Sequence, residues 1–191
     1  MEGASLRVEN LACRRGDRVL FRGLSFALAP GEALQIVGAN GTGKSSLLRI
    51  VAGLLRPFEG AVAHEGTVAL LDDRLPLDEH LPLGKAFEFW RRIDGEEYAA
   101  QGAGIGNLLD VPVRYLSTGQ RKRAAILQSN TRGADLWLLD EPLNGLDAAA
   151  AERLVGQVET FCAGGGKALI ASHQAFALPK LKTLDLADFA P

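Results

Sequence analysis

Along the chain, apolar positions first alternate and later run unbroken. In LRVENLACR and RVLFRGLSFAL apolar residues return at about every second position, which predicts two early strands joined by a turn at Arg15–Gly16–Asp17. APGE marks another turn before ALQIVG, a short apolar run ending in glycine. The next stretch, TGKSSLLRIVAGLL, spaces Leu47, Leu48, Ile50, Val51, Leu54 and Leu55 as a helix with one broad buried face. RPFEGAV and HEGTVALLDD predict more turn and strand. From about Pro76 to Gly133 the pattern is mainly helical, most clearly in AFEFWRRI and in the segment after LSTGQ. LWLLD then reads as a buried strand, and DAAAAERLVGQVETFCA as a helix stopped by Gly164, Gly165 and Gly166. KALIASH is a second buried strand and LKTLDLADF a last one.

Strands alternating with helices imply an α/β fold around a mainly parallel core sheet, with the helical middle as an inserted lobe. The expected organisation is one domain over residues 1–191, its core formed by 1–75 and 134–191 and its lobe by about 76–133. Composition adds exclusions. Hydrophobic residues at 47% and charged residues at 23% argue against disorder. A formal charge of −2 gives no reason to expect nucleic acid as a partner. Cys13 and Cys162 are too few and too far apart to suggest a metal site, and two lone thiols suit a reducing compartment. MEGASLRVEN has no basic segment leading into an apolar run, so no secretory signal is expected. No apolar run is long enough to cross a bilayer, so direct membrane insertion is not expected and any membrane association is assigned to a partner.

The chemistry is concentrated in three places. Gly38-Ala39-Asn40-Gly41-Thr42-Gly43-Lys44-Ser45-Ser46 fills the pattern G-x-x-x-x-G-K-[ST] between a buried strand and an amphipathic helix. Such a loop turns its N–H groups inward around phosphate, which glycine allows without an obstructing Cβ. Lys44 is expected to reach the outer phosphate oxygens and Ser45 to ligate Mg²⁺, with the positive end of the helix aimed at the anion. LWLLDEP places Asp140 and Glu141 at the end of a buried strand. There Asp140 suits Mg²⁺ and Glu141 suits polarising the water that attacks a γ-phosphate, against the plainer reading of two acids capping a strand or pairing with a nearby lysine. His173 closes KALIASH in the same way, within reach of the γ-phosphate and Glu141. His64 and His80 lack such context and are read as surface residues.

Taken together the motifs resemble the nucleotide-binding subunits of ABC transporters. GANGTGKSS matches their Walker A motif, LSTGQ their signature, LWLLDEP Walker B, NGLD the D-loop and SH the switch histidine. The resemblance implies a P-loop NTPase with a mainly parallel core sheet, an antiparallel β subdomain and an inserted helical lobe. It implies ATP and Mg²⁺ as cofactors, ATP hydrolysis as the activity, and a head-to-tail dimer with a second copy of the chain. In that dimer Ser117 and Gly119 would contact the γ-phosphate held by the opposite copy, and Asn144 to Asp147 would cross the same interface. Ser117 also reads simply as a helix N-cap.

A closer resemblance within the family is to the ATPase subunits of bacterial cytochrome c maturation. It rests on the short chain, the opening LRVENLACRRGDRVLF and the late ASHQ. It implies membrane partners of the CcmB and CcmC type, release of haem-loaded chaperone CcmE, and a place on the cytoplasmic face of the inner membrane. The ATPase of another transporter or lipid-handling complex is the alternative, and a non-catalytic module stands behind both.

Two positions depart from the family pattern. The glutamine expected after the strand before the lobe is missing from TVALLDDRLPLDEH, where Arg74 or Asp73 falls about in its place. The adenine-stacking aromatic is also missing, and two readings of Arg15 stay open: a guanidinium stacked on the base, or a solvated hairpin arginine. Leu81, Leu83, Phe87, Phe89 and Trp90 are expected mostly to pack the lobe, with one or two lining a groove for a membrane subunit.

Overall fold

The computed structural model describes residues 5–72, 74–95, 98, 100–129 and 133–191. These divide into two compact units: one drawn from Met1–Asp72, Thr131–Pro142 and Val155–Pro191, the other from Asp73–Asn130 and Leu143–Leu154. In the first lie β1 (Leu6–Arg15), β2 (Arg18–Leu28), β3 (Ala33–Val37), α1 (Lys44–Val51), β4 (Glu59–His64) and β5 (Val68–Leu71). In the second lie α2 (Leu83–Asp94) and α3 (Thr118–Gln128). The first unit resumes with β6 (Leu136–Asp140), and α4 (Ala148–Ala163) has residues in both units. β7 (Lys167–Ala171) and β8 (Lys182–Asp185) complete the first unit.

β2, β1 and β4 form an antiparallel sheet in that order. Its pairing with β2 is interrupted between Val8 and Leu11, where Asn10 adopts a positive φ of 47° and its N–H donates to Ser25 Oγ at 2.8 Å. Gly60 answers this bulge from β4, because a Cβ there would come within 2.4 Å of the Asn10 carbonyl. The inward residues Leu6, Leu11, Phe21, Leu24 and Leu28 are fully buried and join Leu47 and Leu48 of α1 in one core. Each such side chain contributes about 1.5–3 kcal/mol relative to exposure.

The second sheet is parallel, in the order β5-β6-β7-β3-β8. Buried on both faces, its central strands read as mainly apolar runs, ALQIV, LWLLD and KALIA, without alternation. The register decides where the chemistry falls. Ala171 of β7 lies opposite Ile36 of β3 on one side and Asp140 of β6 on the other. All three strands therefore end level, at one carboxyl edge.

Two expectations need correction. Leu54 was placed on the buried face of α1, but the helix stops at Val51 and Leu54 is 68% exposed. Gly53, at φ 73°, turns the chain off the helical path, so the following leucine leaves the apolar face. His64 is half-buried at the end of β4 rather than a surface residue, because β1 pairs it with buried Leu6.

The second unit has its own core of Leu77, Leu83, Ala86, Phe87, Ile105, Val113, Leu116 and Ala124. Tyr98 stacks on Phe87 with ring centroids 5.0 Å apart. Of the five apolar residues singled out here, Leu83 and Phe87 are core and Trp90 is half-buried, its indole N–H donating to the Pro76 carbonyl at 2.7 Å. Leu81 and Phe89 are exposed, Phe89 to 57%.

Candidate functional site

The loop after β3 is shaped by glycine. Gly38 has φ 140° and Gly43 φ 111°, and a Cβ on either would come within 3.0 Å of Thr42 Oγ1 or of the Phe21 ring. Gly43 is the residue before α1, and the helix has no side-chain cap at this end, so its first N–H groups remain available to an anion. Lys44 is buried and its Nζ donates to the carbonyls of Gly38 at 2.8 Å and Ala39 at 3.3 Å. The cation is thus folded back over the loop whose N–H groups carry the positive end of α1. Ser45 is exposed and Ser46 half-exposed on the first turn. Asn40 and Gly41 are exposed at the tip, where Thr42 Oγ1 donates to the Ala39 carbonyl at 2.9 Å.

Glu141 follows β6 by one residue. Its N–H donates to the Ala171 carbonyl at 2.8 Å, continuing the ladder, but its φ is 43°, in the left-handed region that a non-glycine residue occupies at a cost of about 1–3 kcal/mol. Pro142 next in line cannot donate to the ladder and ends it. The turned backbone brings the carboxylate between two cationic or polar partners. Glu141 Oε1 lies 3.7 Å from Lys44 Nζ, and Oε2 lies 2.8 Å from His173 Nδ1. The His173 backbone N–H donates to the same Oε2 at 3.4 Å. A carboxylate partner places the proton on Nδ1 and leaves Nε2 for a second partner. His173 is 52% exposed, whereas the Glu141 side chain is only 16% exposed. The structure thus brings together Lys44, Glu141 and His173 at the carboxyl edge, with Asp140 buried beside them at the end of β6.

The oxygen donors at this edge suit Mg²⁺. Ser45 offers a hydroxyl and Asp140 a carboxylate, both hard oxygen ligands. Among the described residues no cluster of three or more His, Cys, Asp or Glu is arranged as a metal cage. Two protein oxygens suit Mg²⁺, which fills the rest of its octahedron with phosphate oxygens and water. The residues fit the ion as a companion of nucleotide.

In the second unit, Ser117 caps α3: its Oγ accepts from the Gln120 N–H at 3.3 Å, and the Gln120 side chain accepts from the Ser117 N–H at 2.8 Å. The cap uses one acceptor position of the hydroxyl and leaves its hydrogen to donate elsewhere. Gly119 lies against the loop before α4. A Cβ on Gly119 would sit 2.5 Å from the Gly145 carbonyl. Sequence reasoning missed a residue here, Arg123, whose guanidinium contacts Asp147 at 2.5 Å. Asp147 Oδ1 also accepts from the Ala150 N–H at 2.8 Å, in the N-cap arrangement for α4. The spacing of Arg123 on α3 carried no signal, because its partner is 24 residues away.

Arg15 is exposed at the end of β1, while Arg14 stacks on Phe58 with its guanidinium carbon 4.4 Å from the ring centroid. Burial raises the Cys13 thiol pKa, an effect partly offset by Ser46 and by the nearby Arg15 charge. Asp73 lies outside the described residues, and Arg74 is exposed. Asp72, at the end of β5, pairs with Arg49 of α1 at 3.3 Å, another contact the sequence did not announce.

Comparison with known proteins agrees with this arrangement. A family model described as "ABC transporter" matches residues 21–144. The "Cytochrome c biogenesis ATP-binding export protein CcmA" of Novosphingobium aromaticivorans is 55% identical over 191 residues, covering all of both chains. Among solved structures, an ATP-binding subunit of an ABC transporter superposes with a TM-score of 0.77 at 22% identity, covering 88% of this chain and 79% of that one. A dimeric ATP-binding cassette in a post-hydrolysis state, bound to ADP and Pi, gives 0.73 at 18% identity and covers 88% of each chain. These two likenesses concern the fold, and they bear out the expected α/β P-loop architecture. By its family match and its full-length similarity, the chain belongs to the ABC transporter ATP-binding proteins and, among them, to the cytochrome c biogenesis CcmA family.

Proposed function

We propose that the chain is the ATP-hydrolysing subunit of a bacterial inner-membrane ABC complex for cytochrome c maturation. The observation that carries the catalytic half of this reading is the Glu141 carboxylate, held 2.8 Å from His173 Nδ1 and 3.7 Å from Lys44 Nζ at the carboxyl edge. The loop Gly38–Ser46 binds the phosphates through its N–H groups, with Lys44 on the outer oxygens. Ser45 and Asp140 hold Mg²⁺, which when bound neutralises charge on the phosphates. Glu141 accepts a hydrogen bond from the attacking water, and His173, donating from Nδ1, holds that acceptor in place. Arg15, exposed at the end of β1, supplies a planar cation for the adenine face.

One chain contributes half of each site. Ser117, with its uncommitted hydroxyl hydrogen, and Gly119 at the N-terminus of α3 serve the nucleotide of a second copy in a head-to-tail dimer. The dimeric fold relative bound to ADP and Pi supports this reading. No described helix is long and apolar enough to cross a membrane. The attachment is assigned to membrane subunits of the CcmB and CcmC type, on the cytoplasmic face. The name of the N. aromaticivorans relative supports the assignment to cytochrome c biogenesis.

Co-expression with the neighbouring membrane proteins, followed by affinity purification from solubilised membranes, tests the complex. The chain should be retained with them and its ATPase rate should change on their binding. Retention with soluble partners alone would remove the membrane assignment while leaving the ATPase reading intact.

A further inference from the structure

β3 carries one polar residue in a strand otherwise built of apolar ones: Gln35 in ALQIV, 5% exposed. A buried amide is costly unless its hydrogen bonds are made. Here every bond the structure gives it goes to the backbone of a single loop. Gln35 Nε2 donates to the Gln174 carbonyl at 2.7 Å and to the Ser172 carbonyl at 3.3 Å. Its Oε1 accepts from the Phe176 N–H at 3.4 Å. These three attachment points bracket His173. The loop has further ties: the Ser172 N–H donates to the Ile36 carbonyl of β3 at 3.2 Å, the His173 N–H to Glu141 Oε2 at 3.4 Å and the Gln174 N–H to Ser172 Oγ at 3.0 Å, and the Phe176 ring is buried. Past Ser172, it is the Gln35 amide that ties the loop backbone to β3.

We infer that Gln35 is a positioning residue for ATP hydrolysis, one that fixes the His173 loop so that His173 stays within hydrogen-bond reach of Glu141. It touches neither nucleotide nor water and acts through the loop backbone. An apolar residue at this position would satisfy the strand as its neighbours Leu34 and Ile36 do, but it would leave the Ser172 and Gln174 carbonyls to find other donors. The loop would shift to find them, and His173 would leave its place. The inference rests on the reading of His173 as functional.

A double-mutant cycle separates the two. Gln35→Met, His173→Ala and the combination are prepared in the full chain, and kcat, KM for ATP and thermal midpoint are measured. Gln35→Met is expected to lower kcat roughly tenfold or more, the scale of a misplaced catalytic group, with KM changed little. The double variant should be no slower than His173→Ala alone. If His173→Ala turns over normally, the reading of the histidine fails and the inference with it. If His173→Ala is slow while Gln35→Met is normal, or the two losses multiply, the positioning role is overturned and the histidine reading stands. Gln35→Leu replaces Gln35→Met if the latter does not fold. Independently of any variant, the Phe176 N–H in the unaltered protein should exchange slowly with solvent deuterium, and exchange at the rate of an open loop amide would overturn the clamp.

Discussion

Gly119 has no room for even a methyl group, since a Cβ there would meet the Gly145 carbonyl at 2.5 Å. That carbonyl is backbone and cannot swing aside as a flexible side chain would. Gly119→Ala is therefore expected to displace the loop of residues 144–147 and to lower steady-state ATPase at least tenfold, as estimated for a site geometry disturbed by about an ångström. An alanine variant with unchanged turnover would show that the close approach has no functional weight. Glu141 gives the complementary test: Glu141→Gln should bind ATP as before yet lose turnover, whereas Lys44→Ala should lose nucleotide affinity, as read by equilibrium binding of a fluorescent ATP analogue. Cys162 supplies a pH effect. Burial raises its thiol from 9.0 to about 11, so the folded chain keeps a proton that the unfolded chain releases earlier. The associated stability is fully present below pH 9.0 and is lost as pH rises to about 11. Relative to a Cys162→Ala variant, the thermal midpoint of the unaltered protein should fall over that interval; parallel curves would refute the linkage.

At the scale of elements, periodicity and motif spacing made much of this chain legible. The alternation in RVLFRGLSFAL and the solid runs LWLLD and KALIA report half-buried and fully buried strands, because burial on one face or two sets the pattern. The phosphate loop was legible because Gly38, Gly43 and Lys44 occur at positions where backbone conformation leaves few other residue types. What escaped depends on neighbours distant in sequence. Gln35 looked like part of an apolar run, and its reason for being polar lies 137 to 141 residues away. Leu54 was misplaced because heptad-like spacing continued past the left-handed Gly53 that ends the helical path. The two roles of Asp147, capping α4 and holding Arg123 of α3, were likewise invisible. Asp147→Ala removes both. Loss of the cap alone costs about 1 kcal/mol, and at this chain length each such unit lowers the thermal midpoint by roughly 2–4 °C. Asp147→Asn keeps a capping side chain and should recover most of the midpoint in a thermal melt, while an equal drop in both variants would assign the effect to Arg123.

For the molecule as a whole, a divided site has a kinetic signature. If the second copy's Ser117 and Gly119 complete each phosphate site, ATP should draw Glu141→Gln chains into dimers visible by light scattering, and ATPase should rise more steeply than first order in protein concentration. Rates strictly proportional to concentration from a verified monomer would remove the shared site. β3 has a consequence of another kind. One end of this strand runs into the loop proposed to grip phosphate, and from its middle the Gln35 amide hangs the loop that carries His173. Grip and presentation thus share a single girder. Warming that loosens the girder should cost the protein its hold on nucleotide and its turnover together, so the two heat-inactivation curves should overlie each other with no interval in which ATP is held but idle.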